Sequence, residues 1–238
     1  MRIYIDIGHG ENGDPGAVCK PYIEHEMAMV TGLAMADQLH KRGIEVKVEP
    51  GNLDISSSAR TANSWGADLL LSVHYNAGGG DRGEVIYSWK RGSEALASII
   101  SSGLKTAGQS VVRIYKSKAN AAGTAEYFGI LRIARMPAVI IEPAFIDNAV
   151  DRQLVDTLLE QKQMGIALAN TIADAYGREA EEVTETKVKI DDKVLTGYIL
   201  KDNLSYAPVR ALAEALGCKV EWDETTKTVI IERKGAIK

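Results

Sequence analysis

Three polar residues close apolar runs that read as buried strands: His9 follows the strand in IDIGHG, His74 ends LLLSVH, and Glu142 ends PAVIIE. Ending a buried strand in an imidazole or a carboxylate costs desolvation unless the group is paired or bound to metal. A fourth group, Glu24, stands in Ile23-Glu24-His25-Glu26 at the start of a helical pattern, after a Gly- and Pro-containing loop that begins at His9. Two imidazoles and one carboxylate make a three-ligand zinc site with one position left for water. Bound Zn²⁺ lowers the pKa of its water to about 7 and polarises a carbonyl, which is what amide hydrolysis needs. Glu142, outside the ligand set, is then the general base that takes a proton from the water and returns it to the leaving amine.

Other residues compete for these roles. Glu26 precedes the same helix as Glu24 and is an alternative ligand. Cys19 lies in the His9–Glu24 loop, and thiolates bind zinc well. His25 and His40 fit solvent-facing helix positions, and Asp6, inside the first strand, fits a buried hydrogen-bonding residue. The Gly78-Gly79-Gly80 run after His74 is not a phosphate loop, because no Lys-Ser/Thr follows, and it reads as a flexible rim.

His9, His74 and Glu142 are separated by 65 and 68 positions, so they meet only if their strands share a sheet. In open α/β sheets, ligands bind at the carboxyl ends of strands. The pattern predicts strands over Arg2–Ile7, Glu45–Val48, Asp68–Val73, Glu84–Trp89 and Pro137–Ile141. It predicts helices over Met27–Leu39, closed near Gly43, over Ser57–Trp65 and Ser93–Ala107, and a long closing helix over Asp151–Tyr176. Near-continuous apolar strands alternating with helices imply an α/β domain, a mainly parallel sheet with helices on both faces, over residues 1–177. Residues 178–186, REAEEVTET, read as a solvated linker. Residues 187–238 read as a small α+β (β-β-α-β-β) module. It has a turn at Asp191–Asp192, a strand over Leu204–Ala207, a helix over Val209–Leu216 ending at Gly217, and a hairpin across Glu224–Thr226.

The 238 residues carry 28 basic and 32 acidic side chains, which excludes nucleic-acid binding by bulk charge. No apolar run approaches the ~20 residues that span a bilayer, so no membrane insertion is expected. The opening MRIYIDIGHG enters a strand directly, with no basic n-region or apolar h-region, and leads to an expectation of synthesis in a cytoplasm without a signal peptide. Cys19 and Cys218 read as free thiols.

At the residues singled out above, the sequence resembles the zinc-dependent N-acetylmuramoyl-L-alanine amidases of bacterial cell walls and phage endolysins. The matching pieces are IDIGHG, IEHEMAM, ARTANSWGADLLLSVHYNA, GEVIYS and ILRIARMPAVIIEPAFIDN, in the family's order over about residues 1–176. The resemblance implies zinc held by His9, Glu24 and His74, with Glu142 as acid/base, and a substrate amide joining the lactyl group of N-acetylmuramic acid to L-alanine of the stem peptide. It also implies that Asn76 and Arg60 contact substrate. One departure is Glu142-Pro143-Ala144-Phe145, where the family usually has Glu-Thr/Val-Gly-Phe; Pro143 has no N–H to give.

Residues 187–232 resemble the small module named after the N-terminal domain of copper amine oxidases, without implying copper. Such a module is expected to attach the enzyme to the wall or to pair two copies as a homodimer, with Tyr198, Tyr206 and Trp222 available to stack on sugars and Trp222 equally suited to a core. The reading that follows is a peptidoglycan hydrolase, in first place a phage endolysin. It is made in the host cytoplasm and acts after release on a Gram-positive, clostridial-type wall; a mature bacterial autolysin fits the same features. Two other readings are a zinc peptidase cutting within the stem peptide and a non-catalytic wall-binding protein.

Overall fold

Ile3, Ile5 and Ile7 of strand β1 (Arg2–Ile7) face one way, while Tyr4 and Asp6 face the other. The same alternation runs through β5 (Leu69–Val73) and β8 (Ala138–Glu142), as a pleated strand requires. One face packs against helices α1 (Glu24–Lys41), α3 (Ser93–Thr106) and α6 (Leu158–Ala175); the other packs against α2 (Ile55–Trp65) and α4 (Gly129–Ile133). On that second face the line Tyr4, Leu70, Ala138 and Ile140 is apolar, and it turns polar toward the carboxyl ends of the strands, at Asp6, Ser72, His74 and Glu142.

The structure, a computed structural model, describes residues 1–177, 186–190, 193–201, 204–206, 209–223 and 228–233. The chain divides into two units, Met1–Glu181 and Glu182–Lys238. In the first, β2 (Val18–Cys19) and β3 (Tyr22–Ile23) form a small hairpin before α1, and the other strands form one six-stranded sheet. These are β1, β4 (Glu45–Glu49), β5, β6 (Gly83–Tyr87), β7 (Val112–Lys116) and β8, in the order β4-β1-β5-β8-β6-β7. Neighbouring strands are parallel except β6 against β8. The sheet is therefore mainly parallel and covered on both faces, and it places the ends of β1, β5 and β8 side by side.

The closing helix departs from the sequence reading. A short α5 (Ala149–Arg152), capped by Asn148, stops before a break, and α6 starts afresh at Leu158. Two interactions force the break. Buried Asp151 accepts N–H groups from Arg82 and Phe145 and an amide N–H from Gln109, which ties α5 to the β8 loop. Thr157 and Glu160 then form a reciprocal capping box that opens α6. Strand β7 and helices α4 and α5 are additions to the elements the sequence predicts.

In the second unit, β9 (Thr186–Ile190), β10 (Lys193–Lys201) and β11 (Leu204–Tyr206) form an antiparallel sheet. Helix α7 (Val209–Ala215) precedes the antiparallel pair β12 (Cys218–Asp223) and β13 (Thr228–Arg233). Three strands thus precede the helix, one more than the β-β-α-β-β reading counts. The linker 178–186 lies outside the described residues apart from Thr186, as do the turns at Asp191–Asp192 and Glu224–Thr226. Trp222 is 49% exposed, so its core reading fails. Cys19 and Cys218 are both free thiols.

Candidate metal centre and cleft

Glu24 is the first residue of α1, and its buried carboxylate reaches over the ends of β1 and β5. His9 Nε2 lies 3.1 Å and His74 Nδ1 2.9 Å from the same oxygen, Glu24 Oε1. The two rings meet edge to face with centroids 5.1 Å apart. One donor atom from each of the three residues lies within 4.8 Å of the others. Around this cluster, Ala17 N–H donates to Glu24 Oε2 at 2.8 Å and Tyr75 N–H to Oε1 at 3.2 Å. Asp14 Oδ2 holds the far nitrogen of His9, Nδ1, at 2.8 Å. A carboxylate on the distal nitrogen fixes ring orientation and tautomer, as metal-ligating imidazoles require. The residues therefore fit a divalent metal ion.

Close packing brings these groups together. A Cβ on Gly8 would stand 2.3 Å from the His74 ring, and one on Gly16, whose φ is +69°, would stand 2.6 Å from Glu24 Oε2 and from the His9 ring. Only glycine fits either position. His9 itself has φ +62°, a left-handed backbone that a side chain rarely adopts and that the fold imposes at the site.

Charge follows from this geometry. Its bond to Glu24, and then its bond to Asp14, raise His9 to about 9 against the pull of burial. Burial alone would lower His74, but its bond to Glu24 and the charges of Glu142 and Glu24 raise it. Burial alone would raise Glu24, yet bonds from His74, His9 and the Ala17 N–H hold it far below the ordinary carboxylate range. A dication bound by these atoms replaces the protons the cluster draws in.

Glu142 is different. Burial, with the charges of Glu24 and Glu84 adding to it, pushes its carboxyl up to about 7 against the opposing pull of His74 and His9. Its Oε2 is buried without a hydrogen-bond partner. It borders a cleft of about 610 Å³ that His9, Glu24 and His74 also line, and whose outer wall includes Leu53, Ile55 and Phe128. A cleft of that volume takes a small ligand or one arm of a polymer.

The remaining sequence candidates fall elsewhere. Asn76 lines the cleft, but its amide donates to Glu84 at 3.1 Å and its backbone pairs with Ala144 and Ile146. That pairing holds the Glu142-Pro143 loop without the N–H that Pro143 lacks. Arg60 is exposed on α2 beside Lys47, Ser64 and Trp65, outside the cleft lining. Glu26 and His40 are exposed, and Cys19 packs at the edge of the core. Asp6 accepts hydroxyl hydrogen bonds from Ser58 and Ser72, as a buried structural carboxylate does. His25 is not solvent-facing: its ring is half-buried and its Nδ1 bonds the Gly8 carbonyl at 2.8 Å, bracing the turn that carries His9. The Gly78–Gly80 rim is tied down, since Gly78 and Gly79 both donate to Asp147. Sequence reasoning missed Asp14, Gly8, Gly16 and Glu84; the only advance signal was the glycine-rich loop around His9.

Residues 3–174 match the N-acetylmuramoyl-L-alanine amidase family. The chain belongs to this family. Residues 180–237 of the same chain match the copper amine oxidase N-terminal domain family. The amidase is similar to "N-acetylmuramoyl-L-alanine amidase CwlM" of Bacillus licheniformis, 29% identical over 196 residues that cover 80% of this chain and 74% of that protein. It is also similar to the "Endolysin" of Bacillus phage SPP1, 27% identical over 219 residues that cover 84% of this chain and 76% of that one. Among solved structures, Cwp6 from Clostridium difficile superposes with a TM-score of 0.67 at 27% identity over 73% of this chain; the amidase spans 29% of Cwp6. Among the described residues, no helix is long and apolar enough to cross a membrane.

Proposed function

We propose that this amidase is zinc-dependent and hydrolyses peptidoglycan at the amide between the lactyl group of N-acetylmuramic acid and L-alanine of the stem peptide. The observation that carries the reading is the convergence of His9, Glu24 and His74 beside Glu142, whose buried Oε2 has no hydrogen-bond partner among the described residues. Two imidazoles and one carboxylate suit zinc. Zinc bound there supplies a Lewis acid and lowers the pKa of its water to about 7.

The chain's own residues do the rest. Asp14, Ala17 N–H and Tyr75 N–H hold His9 and Glu24 in place. Glu142, which lines the cleft beside the three ligands, takes a proton from the attacking water and gives it to the departing amine of L-alanine. Leu53, Ile55 and Phe128 give the cleft an apolar wall.

Likeness to a phage endolysin and to a bacillar amidase supports lysis of a Gram-positive wall after release from the cell that makes the protein. The C-terminal module is read as a wall attachment or a homodimer contact. Mass spectrometry of digested wall tests the reaction. Free stem peptides with L-alanine at the amino end and glycans ending in lactyl groups are expected. Fragments cut within the stem peptide indicate a peptidase instead, and absence of any product supports a wall-binding protein.

A further inference from the structure

An aromatic pair joins the cleft to a basic face outside it. Phe128 lines the cleft, and its neighbour Tyr127 stands outside, 55% exposed, with the two rings edge to face at 5.1 Å. Lys118 Nζ lies 4.1 Å from the Tyr127 ring. Two residues earlier, at the end of edge strand β7, Lys116 Nζ lies 5.9 Å from the ring of Trp89, itself 42% exposed. Ser117 between the two lysines is buried, so both leave the extended chain on the same side. Beyond Trp89, a recess of about 300 Å³ is bordered by Arg91, Lys116 and Glu94.

This face is rigid. Trp89 Nε1 donates to the Ser117 carbonyl at 2.6 Å, and Trp89 N–H donates to buried Glu126 at 2.9 Å. Lys90, which also borders the recess, has its Nζ held by the same Glu126 and by the Leu131 carbonyl, both at 2.6 Å. The face is also locally cationic: Arg91, Lys116 and Lys118 flank the rings, and Glu94 is the acidic residue bordering the recess. Lysines on an edge strand also discourage strand pairing. That role does not need an exposed, hydrogen-bonded indole and an exposed phenol ring beneath the lysines. Fixed rings flanked by cations suit a sugar chain that stacks on the rings and carries anionic substituents.

The proposed reaction makes such a chain. Water adds its oxygen to the lactyl carbonyl, the C–N bond breaks and the proton goes to the alanine amine, so each neutral muramoyl amide becomes a free lactyl carboxylate. We propose that the Tyr127–Lys118–Lys116–Trp89–Arg91 face binds the peptide-stripped, carboxylate-bearing glycan strand and holds the enzyme next to its remaining substrate. The source of that strand rests on the amidase reading; the binding itself does not.

The test is calorimetric titration of the whole protein with glycan strands stripped of peptide by an unrelated enzyme. The double variant Arg91→Glu with Lys116→Glu is expected to bind them about 10-fold more weakly than wild type, since it places two like charges against the ligand. Strands whose carboxylates are capped as amides are expected to bind wild type as weakly. Both proteins are expected to cleave a short soluble muropeptide at the same rate, which also shows that the variant folds. Equal binding by wild type and variant, equal binding of capped strands, or preference for a polyol-phosphate polymer over stripped glycan overturns the proposal. Failure of wild type to cleave the muropeptide defeats the amidase reading separately, and the binding comparison still decides the face.

Discussion

Glu142 stands directly opposite Glu84 in the antiparallel pair β6–β8. Two acidic side chains thus share one patch of sheet. Glu84 is compensated by Arg82 and by the amide of Asn76, whereas Glu142 Oε2 has no such partner. The asymmetry fits the proposed roles: Glu84 is held by its partners, and Glu142 is the proposed base.

The pH dependence of hydrolysis follows. Glu142 must be ionised to accept a proton, so kcat/KM rises as pH climbs through its pKa. Glu84→Gln removes a like charge but retains an acceptor for Asn76, and is expected to move that rising limb to lower pH. An unchanged limb would remove Glu84 from the electrostatics of the base.

Replacing the base tests its role more severely. Glu142→Gln is expected to retain bound metal and lose about 10²- to 10⁴-fold in kcat, because proton transfer is lost and the ligand set is intact. Metal content and turnover measured on one preparation separate this outcome from a collapse of the site. Near-wild-type turnover contradicts the role.

Gly8 sets how closely β1 and His74 approach. Gly8→Ala would put a methyl 2.3 Å from the imidazole, displacing it. We expect metal affinity to fall roughly 10- to 100-fold, the range seen when the support of a ligand is disturbed. Competition with a chromogenic chelator measures it, and unaltered affinity would show that the strand can shift.

Metal uptake is expected to release protons. In metal-stripped protein at pH 7 His9, raised to about 9 by its bonds to Glu24 and Asp14, is held in its charged form, and His74 is shifted in the same direction by Glu24 and Glu142. Ligation needs their lone pairs, so about one proton leaves from His9, and any proton on His74 leaves with it. His9's share is full well below its raised value and vanishes as pH rises through about 9. Titration calorimetry in buffers of different ionisation enthalpy counts the protons; no buffer dependence at pH 7 contradicts the arrangement.

Much of this site was legible in the sequence because a polar residue ending an apolar run is a local signal. His9, His74 and Glu142 carry that signal, and Glu24 was readable from its place before a helical pattern. What escaped depends on neighbours distant in the chain. Asp14 and Gly16 are ordinary loop residues until the loop folds back on His9 and Glu24, and the importance of Gly8 lies in His74, 66 positions away. Strand β7 was missed because an edge strand with exposed Arg113, Ile114, Tyr115 and Lys116 shows no alternation. His25 was misread because the helix begins at Glu24, which turns that ring onto the Gly8 carbonyl. The break before Thr157 was hidden by apolar periodicity on both sides, although Thr157-x-x-Glu160 is a helix-start pattern.

The most direct test of the central claim is zinc content by elemental analysis of wild type, Glu24→Ala and Glu26→Ala, purified without chelators. One zinc per chain in wild type and in Glu26→Ala, lost in Glu24→Ala, is the predicted result. Zinc retained in Glu24→Ala, or absent from all three, contradicts a metal centre built on His9, Glu24 and His74.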